Sequence, residues 1–192
     1  MKPVILAIVL ASFGSPLFAQ TLTEAQITEA LSDTKADTFQ TVGVNAGPFR
    51  VILAGPMVRV NAALREAARA LKPFTRADVT DEMIGPFLRV SAWPSKPSYS
   101  KYGGWSVTPA ATNIVLLPKG STDLTKAVQP TSKEAFPQEW GNALGAKFEG
   151  QGMTADFNLS DVPPGEFDVV IGCECPRPMR GTVKLKDRPK IR

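Results

Sequence analysis

Two cysteines stand two residues apart near the end of the chain, as Cys173-Glu174-Cys175, and this pair is the feature best suited to chemistry. In an oxidising compartment such a pair usually forms a disulfide. Residues two apart in an extended strand approach the ~7 Å upper limit for the Cα atoms of a bridge, so a bond requires a local kink. Gly172 and Pro176 flank the pair and favour one. The sequence leaves three readings open: a bridge that tightens a loop, two unpaired thiols, or the reversible dithiol of a redox protein.

Aromatic residues in a segment rich in proline and glycine are the second candidate. Flat rings on a loop can stack on sugars, peptides or nucleobases, and tyrosine and tryptophan are enriched at binding hot spots. Alternatively, the rings fold back and fill one end of the core. If the chain binds a ligand, we expect this segment, residues 93–105, to do so. Its rings are Trp93, Tyr99, Tyr102 and Trp105.

The chain contains no histidine. This absence removes the usual general base, the Ser-His and Cys-His couples, and the commonest zinc ligand. The sequence also lacks a phosphate-binding glycine loop and a nucleophile elbow. We therefore predict no catalytic residues, no metal and no cofactor, although enzymes based on carboxylates alone are known.

Basic residues crowd the last sixteen positions, while the net charge of the whole chain is only +4. No basic helix carries base-reading side chains, so we predict no nucleic-acid partner. Lys184 and Lys186 are predicted to point outward from a final strand at residues 182–186, where lysine discourages aggregation through sheet edges. Weak contact with anionic surfaces is the alternative. The basic residues are Arg177, Arg180, Lys184, Lys186, Arg188, Lys190 and Arg192.

The first nineteen residues have the layout of a secretory signal peptide. Lys2 precedes an apolar run at residues 4–13, and Ala19 marks a plausible cleavage point. The run is shorter than the ~20 residues that a membrane-spanning helix needs, and no later stretch is long enough. We expect a signal peptide at residues 1–19, one domain at residues 20–192, export to the periplasm or the extracellular space, and no integral membrane segment.

Two helices are predicted from their capping and periodicity. Thr23 and Gln26 have the spacing of a capping box and predict a short helix at the start of the exported domain. Pro56 suits the first turn of a second helix, at residues 57–71, which we expect to pack flat on a sheet. Its apolar stripe comprises Val60, Leu64, Ala67, Ala68 and Leu71. Its polar side comprises Asn61, Arg65, Arg69 and Lys72.

Short apolar or alternating runs, separated by prolines and glycines, predict a series of β-strands. Residues 32–46 look polar and irregular, and Gly150-Gln151-Gly152 resembles a hairpin turn. This spacing of short strands is typical of an antiparallel sandwich. The predicted strands are residues 49–54, 87–93, 114–117, 147–149, 153–159, 167–171 and 182–186.

Residues 157–170, FNLSDVPPGEFDVV, resemble the segment of immunoglobulin-like and prealbumin-like β-sandwich modules in which a Pro-Gly turn leads into a core strand. The chain after the signal peptide is also similar to uncharacterised exported bacterial proteins, a resemblance that implies no function. Together these observations predict an α+β fold: an antiparallel, immunoglobulin-like β-sandwich with one long amphipathic helix packed on it and a short N-terminal helix.

The combination of export, a sandwich and missing catalytic sets favours an exported, non-enzymatic binding module whose ligand is an unknown protein or glycan. Two alternatives stay open. One is a thiol-disulfide redox protein that uses Cys173 and Cys175, and the other is a carbohydrate-binding protein that uses residues 93–105.

Overall fold

The computed structural model describes residues 21–33, 41–99, 104–141, 147–184 and 186. The predicted signal peptide, Tyr102 and the basic residues Arg188, Lys190 and Arg192 lie outside these ranges. The helices are α1 (Glu24–Ser32), α2 (Pro56–Arg69) and α3 (Asp81–Ile84), with short 3₁₀ turns at Arg76–Asp78 and Leu124–Lys126. The strands are β1 (Val42–Ala46), β2 (Phe49–Ala54), β3 (Phe87–Pro94), β4 (Ser98–Tyr99), β5 (Trp105–Ser106), β6 (Ala111–Pro118), β7 (Ser132–Gly141), β8 (Lys147–Asn158), β9 (Phe167–Cys173) and β10 (Met179–Val183).

The described strands form a five-stranded sheet in the order β1-β2-β3-β8-β7 and a three-stranded sheet in the order β10-β9-β6, and both are antiparallel. Alternate residues of the facing strands meet in one apolar core, as a pleated strand requires. Phe49, Leu88, Phe157 and Phe167 are among the largest side chains in it. The chain is therefore α+β, with mostly antiparallel, sandwich-like sheets, as predicted.

Strand β8 corrects one prediction about the sheet. Gly150-Gln151-Gly152 is not a turn, because β8 runs unbroken through it and pairs with β7. Strand β7 was not predicted, and residues 32–46, which were predicted to be irregular, contain β1. Strand β10 ends at Val183, so Lys184 and Lys186 lie beyond the strand on which they were predicted.

Helix α2 also differs from its predicted orientation. It packs against α1 and α3 in a second apolar cluster rather than flat on the sheet. Residues 56–61 are all buried, whereas Ala68 is exposed and Leu71 is 94% exposed. The predicted stripe is wrong at these two positions, because the helix is buried by its first turns and not along one face.

Asn61, predicted on the polar side of α2, is fully buried. Its Nδ2 donates hydrogen bonds to the carbonyl oxygens of Ala30 (3.0 Å) and Asp33 (2.8 Å) at the end of α1. The last carbonyls of a helix lack partners within the helix, so a buried amide that satisfies two of them stabilises the packing of α2 on α1.

Candidate functional site

The described part of the predicted aromatic segment contains the end of β3 and the two short strands β4 and β5, which pair with each other in antiparallel fashion. Tyr99 and Trp105 are cross-strand partners in β4 and β5, with their ring centroids 5.4 Å apart and their planes at 74°. Trp93 is 39% exposed, Tyr99 65% and Trp105 44%. These three rings are therefore exposed rather than folded into the core, while Tyr102 lies outside the described residues.

Two further rings, from β7 and β8, contact these residues, and neither was predicted to belong to the site. Phe136 contacts Trp93 at 4.6 Å between centroids, and Phe148 contacts Trp105 at the same distance. We call Trp93, Tyr99, Trp105, Phe136 and Phe148 the aromatic surface. The available signal was the even spacing of Phe136 and Trp140, which places both rings on one face if the segment is a strand.

The β7–β8 arm, residues 136–141 and 147–152, carries the new rings. Phe136 pairs with Gly152, and Trp140 pairs with Phe148, so their side chains lie on one face. A Cβ atom added at Gly152 would overlap the Phe136 ring, and one at Gly150 would lie 2.7 Å from the Trp140 ring. Gly150 and Gly152, which were predicted to form a turn, instead leave room for aromatic rings to lie across the strand.

Polar side chains lie on the same face of the sheet as the rings. Arg50 is the cross-strand partner of Trp93, and Glu134 and Gln138 lie two residues either side of Phe136 on β7. On the other side of the arm, a cleft of about 400 Å³ is lined in part by Thr108, Glu149 and Gln151. The Gln151 Nε2 donates to the carbonyl oxygen of Ala111 at 3.3 Å, which ties the cleft to the start of β6. Flat apolar rings bordered by hydrogen-bonding groups suit a ligand that has both apolar faces and hydroxyl groups.

The cysteine pair lies elsewhere, where the chain bends between β9 and β10. The Sγ atoms of Cys173 and Cys175 are at disulfide-bonding distance, and their Cα atoms are 5.2 Å apart. The chain bends at residues 174–177, so the predicted kink is confirmed. The geometry is that of a bridge that tightens a hairpin loop, and redox use of the pair stays a prediction.

Asp168 is the most buried carboxylate of the described residues, at 2% exposed, and it lies on the outer side of the three-stranded sheet. It accepts hydrogen bonds from the Gly120 N–H (2.9 Å), the Arg180 Nη1 (3.0 Å) and the Thr182 hydroxyl (2.6 Å). Burial by itself raises the pKa of Asp168, but these three donors outweigh it and hold that pKa below its ordinary value. Arg180 also donates to the Ser121 carbonyl at 2.6 Å, so this network fastens the loop after β6 to the sheet.

Asp168 is expected to contribute stability that depends on pH. Its pKa is lower in the folded state than in the unfolded state, so the contribution is complete above the ordinary value of 3.8 and is lost as the pH falls through the folded-state pKa. We expect Asp168→Asn to reduce the free energy of unfolding by about 2 kcal/mol at neutral pH, because an amide nitrogen in place of Oδ2 cannot accept the hydrogen bonds of the Gly120 N–H and Arg180. Urea unfolding at a series of pH values between about 7 and 2.5 measures both effects.

In the same series, the difference in the free energy of unfolding between wild type and Asp168→Asn should become smaller as the pH falls. Asp161→Asn, in an exposed turn, is the matched control and should leave the unfolding free energy within about 0.5 kcal/mol of wild type. A difference that stayed constant down to the lowest pH would contradict this role of the Asp168 carboxylate.

Arg89 and Asp156 form a second ionic cluster on the outer side of the five-stranded sheet. The Arg89 Nε and Nη2 donate to the Asp156 carboxylate at 2.9 and 3.0 Å, and Nη2 also donates to Glu82 at 2.9 Å. The hydrogen bond with Asp156 raises the pKa of Arg89 most strongly, so this guanidinium stays charged. Its donors are engaged by carboxylates of the same chain, which makes the cluster structural.

None of the described helices is long and apolar enough to cross a membrane. Within the described ranges, no three histidine, cysteine, aspartate or glutamate residues are grouped so that they could hold a metal ion. No family model matches the chain, and no curated protein or solved structure matches it either. The function must therefore be argued from the geometry of the site.

Proposed function

We propose that this protein is an exported, non-catalytic module that binds its ligand on the aromatic surface. One observation carries the proposal: five rings from separate strands form two groups, Trp93 with Phe136 and Trp105 with Tyr99 and Phe148, while Trp93, Tyr99 and Trp105 remain exposed to water. Single exposed apolar residues are common on proteins, but a contiguous exposed patch is typical of an interaction site. The signal peptide predicted at residues 1–19 supports export, and the immunoglobulin-like assignment of the sandwich stays a prediction.

The rings are also held firmly enough to act as a preformed surface. Phe136 lies over Gly152 and contacts Trp93, while Trp105 is held between Tyr99 and Phe148. Side chains fixed by such contacts lose little conformational entropy when a ligand binds. Large rings with two rotatable bonds are well suited to this use.

Trp105→Ala tests the proposal on arrays of immobilised glycans and peptides. We expect the variant to lose at least about tenfold in affinity for whatever the wild type retains, since central aromatic hot spots contribute ~2 kcal/mol or more. Leu124→Ala is the control, because Leu124 is also an exposed large apolar residue but lies on a 3₁₀ turn next to β6 of the three-stranded sheet. Thermal unfolding of both variants verifies that they are folded. Equal retention by wild type and folded Trp105→Ala would refute this use of the surface.

A further inference from the structure

Resting on the proposed function, we infer that the ligand is an extended, uncharged oligosaccharide that contacts two aromatic stations along β8. The first station is the Trp93–Phe136 pair, and the second is Trp105 with Tyr99 and Phe148. Each station has exposed ring surface that the protein itself does not cover.

The spacing of the stations argues for a chain rather than a single small molecule. Phe136 on β7 is opposite Gly152 on β8, and Phe148 lies on β8 four residues before Gly152. Four residues of extended strand span about 13 Å, which is longer than one sugar ring. Trp140, seated over Gly150, lies between the two stations and continues the apolar floor. A ligand that uses both stations must therefore be an oligomer.

The charges on the strand face that carries the rings do not favour a polyanion. On that face, the exposed Arg50 is the cross-strand partner of Trp93, and the exposed Glu134 lies two residues before Phe136 on β7. Because these two side chains have opposite charges, positive charge does not dominate beside the rings. Nucleic acids and acidic polysaccharides bind to surfaces where the positive charges dominate. Carboxylates can instead accept hydrogen bonds from the hydroxyl groups of an uncharged sugar.

An extended peptide could add a strand to β7, which is the edge of the five-stranded sheet. Pro137 lies in the middle of that strand and has no N–H to donate, and the same strand carries the exposed charged residues Lys133, Glu134 and Glu139. Both features oppose the pairing of a further strand at this edge. Stacking on the rings is therefore the binding mode that the surface supports, and sugar rings are the ligand class that uses it.

The test is calorimetric titration of the full chain with neutral oligosaccharide series of increasing length: cello-, malto- and N-acetylated chito-oligosaccharides. For at least one series, we expect affinity to rise from the disaccharide to the hexasaccharide. Trp93→Ala and Trp105→Ala should each weaken binding of the hexasaccharide about tenfold, as expected for the loss of an aromatic contact residue. Leu124→Ala should bind as the wild type does. If Trp93→Ala does not fold, Trp93→Phe takes its place in the comparison, and we expect this variant to keep most of the affinity.

Several outcomes separate this inference from the proposed function. Binding of heparin or of an extended peptide that depends on Trp105, with no oligosaccharide bound, would overturn the sugar assignment and keep the binding module. Affinity that does not rise with chain length, or that depends on one tryptophan alone, would overturn the two-station arrangement. Self-association through the rings, detected by light scattering and abolished by Trp105→Ala, would overturn the inference as well. If no ligand binding depended on either tryptophan, both proposals would fail.

Discussion

Replacing Arg59 with leucine is expected to lower the free energy of unfolding by about 3–5 kcal/mol, the largest effect among the substitutions considered. Arg59 is 8% exposed, and its guanidinium lies 3.7 Å from the centroid of the Phe87 ring. All its hydrogen bonds go to backbone carbonyls that join α3 to the ends of β2 and β3. The acceptors are the carbonyl oxygens of Ala54 (3.3 Å), Met83 (3.2 Å), Gly85 (2.6 Å) and Phe87 (2.6 Å).

Leucine fills a similar volume but leaves these buried acceptors without donors, and each such loss costs about 1–3 kcal/mol. Burial, followed by repulsion from Arg89, lowers the pKa of Arg59 to about 10. The group is therefore still charged at neutral pH, and its interaction with the carbonyls is charge-assisted. Arg59→Lys should also destabilise strongly, because an ammonium lacks the planar fork that reaches several acceptors at once.

Urea denaturation at neutral pH measures the decrease in the free energy of unfolding of Arg59→Leu. Arg69→Leu is the matched control. Arg69 lies on the same helix and is exposed, so its replacement should change the unfolding free energy by no more than about 0.5 kcal/mol. If Arg59→Leu and Arg69→Leu were equally mild, the four carbonyl contacts would not be essential for stability.

Gly152→Ala is the second large effect, with an expected loss of about 3 kcal/mol in the free energy of unfolding. The added Cβ would overlap the Phe136 ring and lie 2.7 Å from the carbonyl oxygen of Ala92. Phe136 could rotate away, but Ala92 belongs to the neighbouring strand β3, whose pairing with β8 fixes its position. The strain therefore cannot be relieved by a side chain alone, and Phe136 must leave its contact with Trp93.

The comparison is with Gly43→Ala in β1, where an added Cβ meets nothing within 4 Å. That substitution should be neutral or slightly stabilising, since alanine loses less backbone entropy than glycine on folding. Thermal unfolding gives the stability of both variants, and tryptophan fluorescence reports any displacement of Trp93. A stable Gly152→Ala protein with unchanged fluorescence would show that the ring over Gly152 is not tightly seated.

Local signals in the sequence identified the elements whose ends are specified by neighbouring residues. The capping box of Thr23 and Gln26 marked the start of α1 correctly, and both hydrogen bonds of the box are present. Strand β2 has the predicted bounds, because Pro48 and Gly55-Pro56 enclose an apolar run. Phe167, Val169 and Ile171 face the core as their alternation predicted. In each case, the determining interactions lie within a few residues of chain.

The sequence by itself therefore determined the α+β class, the sandwich texture, and the choice of residues 93–105 as the candidate site. Only the tertiary structure decided that Gly150 and Gly152 lie within a strand, since the rings that occupy the space above them come from β7. It also decided that Arg59 and Asn61 are buried, because all but one of their named hydrogen-bond partners lie more than twenty residues away. The hydrophobic period of a helix or strand predicts which face of that one element is buried, but it carries no information about the neighbours of that face. Contacts between distant segments determine which polar groups are satisfied inside the protein and which aromatic rings meet at its surface.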